Sequence, residues 1–368
     1  MAPVFSKQPL KTVAKVGFQL ATPFYFLYLA LRMSISSLRQ DSRWSMKEAI
    51  VNAFFRANFH LLTATRDQLA EQTAPGKLGD QYVRIEPADA KYLKGALTPG
   101  GIQPKSLPGV WFPGPPSGDS TDEKVVIYFP GGAFVVGFEA SFLGPIVADG
   151  LTKELGATRL LFAQYRLARD EQSRFPAAIQ DAVTFYSYVL SQGVKASNII
   201  ISGDSAGGNV CLGLLRYLES EQSELPKPSA ALAWSPWVSV PTDAGAQFAK
   251  LPNAEKDLIY PEFLQWGADS YRPASQPDEE AEGYLDPLKY PFKLTVPLFI
   301  QAGGLEGFRD QIHQFAEKMI QENGKDLVRY HESPLVAHDL VLLHGHIGKT
   351  ELNQTAVRDA NEFIQSTK

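Results

Sequence analysis

Hydrophobic residues recur with two different spacings along this chain. Between residues 47 and 70 they return every three or four positions, which predicts an amphipathic helix. From residue 81 onward they form short clusters instead, first in QYVRIEP (81–87) and GVWFPGP (109–115), and each cluster predicts a strand. Later apolar runs alternate with helical segments. This alternation is typical of a mostly parallel sheet that is covered by helices on both faces.

The later strands and helices are regularly interleaved. Buried strands are predicted at 125–129, 159–164, 198–203, 230–235, 297–302 and 327–332. Helices are predicted to begin near residues 175 and 206 and to cover about 308–323 and 351–366. With the two earlier clusters, the pattern predicts an eight-stranded, mostly parallel sheet of the α/β class.

Two segments, residues 1–80 and about 240–292, do not follow this alternation. We expect residues 1–80 to form an N-terminal apolar, helical lid or a membrane-association segment. We expect residues 81–368 to form the main domain, with 240–292 as a lid insertion. Sheets of this kind bind ligands outside the carboxyl ends of their strands, where such additions commonly lie.

The composition is that of a folded protein. Of 368 residues, 44% are hydrophobic and 20% charged, which excludes wholesale disorder and a collagen-like chain. A single cysteine excludes an internal disulfide and a cysteine-built zinc site. The net charge of −5 argues against a nucleic-acid partner.

The charge is unevenly distributed. The first 40 residues contain five basic side chains and no acidic one, so the rest of the chain carries a net charge of −10. The basic residues are Lys7, Lys11, Lys15, Arg32 and Arg39. Between them, residues 16–31 are uncharged and span about 24 Å as a helix, short of the ~30 Å hydrocarbon core of a bilayer.

Three interpretations of residues 16–31 remain open. The segment packs on the protein itself, contacts a membrane as an anchor or interfacial helix, or is a cleaved signal. Aromatic residues 24–26 and 28 suit a membrane interface. The signal interpretation lacks a small-x-small cleavage site after Leu31. We therefore expect a cytoplasmic or endoplasmic-reticulum membrane-associated protein rather than a secreted one.

The strongest chemical signal is the sequence GDSAGG (203–208), which follows the predicted strand 198–203 and opens a helix. A serine on such a sharp strand-to-helix turn needs small neighbours, which Gly203 and Gly207 provide. The turn exposes the Ser205 hydroxyl above the sheet edge, beside the free N–H groups of a helix start. Ser205 is thus predicted to be a nucleophile, and the alternative is a plain glycine-rich turn or phosphate cradle.

A second glycine-rich turn follows the strand 125–129 and reads PGGAF. Glycines let backbone N–H groups turn toward a substrate oxygen, so this turn is predicted to form an oxyanion hole. The candidate donors are the N–H groups of Gly131, Gly132 and Ala133, together with that of Ala206 after the nucleophile.

The order of YFPGGAFVVG, QYRLARD, FPAAIQDA, GDSAGGN, SPW and a late His-Asp resembles the α/β-hydrolase fold. Within that fold it resembles the hormone-sensitive-lipase-like esterases, which include arylacetamide deacetylases and fungal steryl acetyl hydrolases. The resemblance covers about residues 80–368. Two positions depart from the usual H-G-G-G turn, since Pro130 replaces the histidine and Ala133 replaces the third glycine.

The resemblance implies a chain order of serine, acid and histidine. His338, in SPLVAHDLVLL after the last strand, stands where the family places its base. Glu306 matches the position of the family's acid, and Asp310 is the reserve candidate. Tyr165 and Arg166 are expected to be structural, with Arg166 ion-paired. Cys211 is expected to be a small core residue in the helix behind Ser205.

These residues predict a serine carboxylic-ester hydrolase that acts on a hydrophobic small-molecule ester through an acyl-enzyme, without a metal or organic cofactor. The first alternative is a tailoring enzyme of a fungal specialised-metabolite pathway, which performs hydrolysis, acyl transfer or cyclisation. The second is a non-catalytic ligand-binding relative, against which the presence of His338 counts. The sequence leaves the oligomeric state open.

Overall fold

A computed structural model describes residues 3–69, 72–116 and 122–367, and its centre is one eight-stranded sheet. The strands are β1 Tyr82–Ile85, β2 Leu107–Phe112, β3 Val125–Phe129, β4 Arg159–Ala163, β5 Ile199–Asp204, β6 Ala230–Trp234, β7 Leu298–Gly303 and β8 Val328–Ser333. All eight predicted strands are confirmed, with small shifts at their ends.

The sheet has the order β1-β2-β4-β3-β5-β6-β7-β8. Strand β2 pairs antiparallel with β1 and with β4, and all other neighbours are parallel. Every residue of β3, β5, β6 and β7 is buried, which explains why these strands appear in the sequence as continuous apolar runs. The carboxyl ends of the parallel strands meet at one edge, where the predicted chemical residues lie.

Eleven α-helices surround the sheet among the residues that the structure describes. They are α1 Leu10–Met33, α2 Met46–Thr65, α3 Ala140–Leu155, α4 Ala177–Ser191, α5 Ser205–Glu219, α6 Ala244–Phe248, α7 Pro261–Tyr271, α8 Glu279–Leu285, α9 Arg309–Asn323, α10 Leu340–Ile347 and α11 Thr350–Ser366. The four helices predicted after residue 170 are confirmed as α4, α5, α9 and α11.

Helix α2 is shorter than the sequence predicts. It begins with a capping box, in which the Ser45 hydroxyl accepts from the Glu48 N–H and the Glu48 carboxylate accepts from the Ser45 N–H. It ends at Thr65 because Arg66 adopts a left-handed conformation, although the apolar periodicity continues further. The predicted end at residue 70 lies outside the described residues.

A second, smaller apolar core joins the N-terminal segment to the main domain. It contains Leu29 and Met33 of α1, Trp44, Ala49 and Ala53 near and in α2, and Leu305 from the loop after β7. The Trp44 indole Nε1 also donates to the Leu335 carbonyl over 2.8 Å. Residues 10–65 therefore support the loops that follow β7 and β8, which carry the predicted acid and base.

The insertion contacts α2 directly. The rings of Phe59 on α2 and Phe263 on α7 stack with centroids 4.7 Å apart, and the Arg66 guanidinium lies over the Trp266 ring. Both non-alternating segments thus meet over the sheet edge. No helix in residues 3–69, 72–116 or 122–367 is long and apolar enough to cross a bilayer.

Replacing Trp44 with phenylalanine should test the support that the N-terminal segment gives to these loops. The phenylalanine keeps apolar bulk but leaves the Leu335 carbonyl without its indole donor, so we expect a loss of about 1–2 kcal/mol in the free energy of unfolding. Urea denaturation measures this loss. Phe24→Ala is the control because the Phe24 side chain is 75% exposed. Equal stability of the two variants would contradict the prediction.

Candidate active site

Ser205 lies at the junction of β5 and α5, in a strained turn with φ of 51°. The turn fits only because its neighbours lack side chains. A Cβ on Gly203 would collide with the Gly207 carbonyl, and a Cβ on Gly207 would collide with the Phe129 carbonyl. The two glycines therefore serve the purpose that the sequence predicts, which is to let neighbouring backbone approach the serine.

Ser205, His338 and Glu306 form one hydrogen-bonded series. The Ser205 Oγ lies 2.8 Å from the His338 Nε2, and the His338 Nδ1 lies 3.2 Å from the Glu306 Oε2. Residues 306 and 338 come from the loops after β7 and β8, and both side chains are buried. The three predicted residues are thus brought together from three separate strand ends.

The other candidates lie elsewhere. Asp310, the reserve acid, is half-exposed and pairs with Arg309 on the surface of α9. Among the other histidines, His331 on β8 contacts Asp359 and His313 is exposed on α9. The geometry therefore favours Glu306 over Asp310 as the partner of His338.

Burial controls the protonation of the histidine–glutamate pair. It raises the pKa of Glu306 to about 8 and lowers the pKa of His338, against the opposing attraction of Asp257 and Asp204. A histidine that serves as base must be neutral beside an ionised carboxylate, a state reached when the pair loses one proton. The pH dependence consequently belongs to the pair rather than to either residue.

The glycine-rich turn after β3 presents two of the four predicted oxyanion donors. Gly132 and Ala133 have φ of 118° and 51°, and neither N–H group donates a backbone hydrogen bond within the described part of the chain. Ala206 is the second residue of α5, so its N–H lacks an intrahelical acceptor. The prediction for Gly131 is wrong, because its N–H donates to the Asp204 Oδ1 over 2.9 Å.

The two departures from the H-G-G-G turn are both accommodated. The Tyr165 hydroxyl donates to the Pro130 carbonyl over 2.7 Å and so holds the start of the turn. The Ala133 methyl group faces Gly267 on α7, where a Cβ would meet the Ala133 Cβ at 3.0 Å.

Arg166 forms the expected ion pair, with Asp181 at 2.7 Å.

Sequence reasoning missed Asp257, a buried carboxyl in the insertion. Its Oδ1 accepts from the His338 N–H over 3.2 Å and from the Leu258 N–H over 2.7 Å, and its Oδ2 accepts from the Gly307 N–H over 2.5 Å. Asp257 therefore ties the loop after β8, which carries His338, to the loop after β7, which carries Glu306. Burial raises its pKa to about 6. No local motif marks it, since Gly307 and His338 lie 50 and 81 residues away along the chain.

Arg56 of α2 holds the segment that carries Asp257. Its Nη1 donates to the carbonyls of Ala254 and Ile259, both over 3.1 Å, and to that of Asp257. One guanidinium thus fixes this turn of the insertion against the N-terminal segment.

A second missed feature is a pair of carboxyl groups beside the serine. The Asp339 Oδ2 lies 3.4 Å from the His338 Nε2, and the Asp339 and Asp204 carboxyls lie within hydrogen-bonding reach of each other. Neither the Asp204 Oδ2 nor the Asp339 Oδ1 has a donor among the described residues. Burial raises the pKa of Asp204 to about 6 and that of Asp339 well above its ordinary range. One proton shared between the two carboxyls would give both oxygens a partner.

A cavity of about 70 Å³ opens at Ser205. Its apolar walls are Phe55, Phe59, Phe138, Phe142, Leu143, Leu258, Ile259, Phe263, Leu342 and Leu343. Its polar side chains are Asp204, Ser205, His338, Asp339 and His346, and Gly131 and Gly132 complete the lining. A wider cleft, formed by residues 241–247 and 268–290 with Arg174, contains none of the Ser205–His338–Glu306 series.

A serine at a strand-to-helix turn of such a sheet, with a histidine and an acid on later loops, defines the class of α/β hydrolases. Comparison with known proteins agrees. The model of a family described as having the alpha/beta hydrolase fold matches residues 126–342, and the chain belongs to this family. The protein belongs to the hydrolases that act on ester bonds.

The chain is similar to named relatives and to a solved structure that are called acetyl-hydrolases or esterases. An acetyl-hydrolase of Streptomyces hygroscopicus is 27% identical over 59% of this chain and 68% of its own length. An esterase of Acinetobacter venetianus is 29% identical over 55% of this chain and 63% of its own length. A crystal structure of an esterase from the bacterial hormone-sensitive lipase family has a TM-score of 0.60 at 21% identity, covering 87% of this chain and 98% of that one.

Replacing Asp257 with asparagine should change both stability and pH dependence. The amide has only one oxygen, so the N–H groups on one side of the original carboxylate lose their acceptor, which costs about 1–3 kcal/mol in the free energy of unfolding. The negative charge that favours protonation of the His338–Glu306 pair also disappears, so the acid limb of kcat/KM should move to lower pH. Asp310→Asn, on the half-exposed surface of α9, should change neither quantity. A destabilised Asp257→Asn variant with an unmoved acid limb would show that Asp257 has only a structural role.

Two substitutions of Asp339 should distinguish between two roles of this residue: sharing a proton with Asp204, or supplying a negative charge. Asparagine supplies an N–H donor to the Asp204 carboxyl at every pH, so kcat/KM near pH 7 should stay within a few-fold of the wild-type value. Alanine leaves a buried carboxyl oxygen unpaired at about 1–3 kcal/mol. We expect it to lower kcat/KM by roughly tenfold to a hundredfold. If asparagine is as damaging as alanine, the site needs the Asp339 charge instead.

Proposed function

We propose that this protein hydrolyses a carboxylic ester that joins a short acyl group to a hydrophobic alcohol. The observation that carries the proposal is the Ser205–His338–Glu306 series, with distances of 2.8 and 3.2 Å. In this proposal Ser205 is the nucleophile, His338 the general base and acid, and Glu306 the acid of the triad.

The first half-reaction transfers the acyl group to the enzyme. The His338 Nε2 accepts the Ser205 proton as Oγ attacks the ester carbonyl carbon, and Glu306 stabilises the imidazolium through Nδ1–H. The N–H groups of Gly132, Ala133 and Ala206 donate to the developing oxyanion. His338 then returns its proton to the alkoxide, and the alcohol leaves.

The second half-reaction releases the acid. His338 accepts a proton from water, the resulting hydroxide attacks the acyl-enzyme carbonyl, and the same N–H groups stabilise the second oxyanion. His338 then protonates Ser205 Oγ as the acyl bond breaks. Each oxyanion donor in such a site is worth about 2.7–4 kcal/mol, so the loss of Gly131 as a donor makes the remaining three more important.

The shape of the cavity supports the substrate class. Its volume of about 70 Å³ suits a short acyl group, and its predominantly apolar walls suit a hydrophobic ester. Two relatives have names of the same kind, the acetyl-hydrolase of Streptomyces hygroscopicus and the steryl acetyl hydrolase 1 of Saccharomyces cerevisiae, the latter 29% identical over 33% of this chain and 28% of its own length. An acetyl ester is therefore the first substrate to test.

The same acyl-enzyme also serves a specialised-metabolite tailoring enzyme that transfers the acyl group to another alcohol. The predominantly apolar cavity is the observation that favours this second candidate, because restricted access of water lets an alcohol compete for the acyl group.

Replacing Ser205 with alanine should abolish the turnover of short p-nitrophenyl esters, with a loss of at least about 10³-fold in kcat. Wild-type rates should fall as the acyl chain lengthens from acetyl to octanoyl, because the cavity is small. A fluorophosphonate probe should label the wild type and not Ser205→Ala. Retained turnover in the variant would refute the nucleophile. Labelling without ester hydrolysis, rescued by an added alcohol acceptor, would favour acyl transfer.

A further inference from the structure

Helix α1 presents an apolar stripe to solvent along its whole length. The stripe consists of Leu10, Val13, Gly17, Leu20, Phe24, Leu27 and Leu31, which follow each other at alternating intervals of three and four residues. Its six side chains are between 40% and 75% exposed. From Leu10 to Leu31 the stripe runs about 32 Å at 1.5 Å per residue. We call this set of residues the outer stripe.

The opposite face of α1 is already occupied. Leu29 and Met33 are buried against the small core shared with α2, and Tyr25 packs beside them. Lys11 and Lys15 both pair with Asp67, at 3.5 and 2.5 Å. Helix α1 is therefore held against the body of the protein, so the outer stripe has no route to burial by rotation of the helix. A continuous exposed apolar stripe of this length marks an interaction site.

The charges around α1 indicate which kind of partner the outer stripe binds. Residues 1–40 contain no acidic side chain, so packing α1 against a second copy of itself brings only like charges together. Lys7 precedes the helix and Arg32 lies in its last turn, and both are exposed. The exposed apolar stripe with basic residues at its ends is complemented by a partner that has an apolar interior and a negatively charged outer layer. That is the profile of an anionic lipid bilayer.

More apolar side chains extend the patch beyond the helix. Val4 and Phe5 before it are 69% and 47% exposed, and Ile35 and Leu38 after it are 55% and 44% exposed. Aromatic and basic residues near both ends suit the headgroup region of a membrane. The flanks thus continue the chemistry of the outer stripe.

We propose that α1 lies in the plane of an anionic membrane, with the outer stripe in the boundary between headgroups and acyl chains. Lys7 and Arg32 then contact lipid phosphates. The helix does not cross the bilayer in this arrangement, because its inner face stays packed on α2. This inference is independent of the Ser205–His338–Glu306 series, since it concerns a different face of the molecule.

Vesicle sedimentation of the full chain tests the proposal. We expect the wild type to co-sediment with vesicles of phosphatidylcholine and phosphatidylserine, and at least tenfold less with phosphatidylcholine alone. The double variant Leu20→Glu, Phe24→Glu should lose at least tenfold in binding to the mixed vesicles. Its turnover of soluble p-nitrophenyl acetate and its urea denaturation should match the wild type, which shows that the loss is not one of folding.

The matched control adds the same two negative charges to exposed positions of α11, as Thr355→Glu with Gln365→Glu. This variant should bind the mixed vesicles like the wild type. Three results would overturn the proposal: a wild type that stays in the supernatant, equal binding to both kinds of vesicle, or equal binding by the stripe variant. Light scattering identifies the competing occupant, because a dimer abolished by the stripe variant, without vesicle binding, points to a second copy.

Discussion

The His338 imidazole is buried beside four carboxyl groups, those of Asp204, Asp257, Glu306 and Asp339. Charges in such an environment are costly unless each is paired or hydrogen-bonded. The structure meets this condition in three ways. Glu306 faces the imidazole, Asp257 accepts backbone N–H groups, and Asp204 and Asp339 face each other. Small shifts of any loop would leave one of these groups unpaired, so the rest of the site depends on keeping the loops in place.

The supports for these loops come from outside the sheet. Trp44 donates to the carbonyl of Leu335 in the loop after β8, and Arg56 donates to three carbonyls around Asp257. Leu305, next to Glu306, is buried in the small core with α1 and α2. The N-terminal segment is therefore more than a cover over the cavity, because it also holds the loops that carry Glu306 and His338.

The sequence alone was sufficient to predict those features that depend on residues close together in the chain. Buried parallel strands appear as continuous apolar runs, and the strained turn at Ser205 requires glycines at fixed offsets, so both were found. Helix α3 was not predicted, and it contains Gly144 and Pro145, two residue types that weaken a helical pattern. In the structure Gly144 instead allows the Phe112 ring to approach the helix. Asp257 and the Asp204–Asp339 pair arise from contacts between distant segments, which no spacing along the chain encodes. The engagement of the Gly131 N–H could not be predicted for the same reason.

Helix α2 lies between α1 and the cavity. It packs on α1 through the stacked rings of Phe26 and Phe54, and its Phe55 and Phe59 form part of the cavity wall. If α1 rests on a bilayer, only the two helices α1 and α2 separate the lipid from Ser205. The enzyme would then encounter an ester dissolved in the membrane at the surface density of that ester. The rate of turnover would depend on the mole fraction of the ester in the lipid rather than on its concentration in the surrounding water.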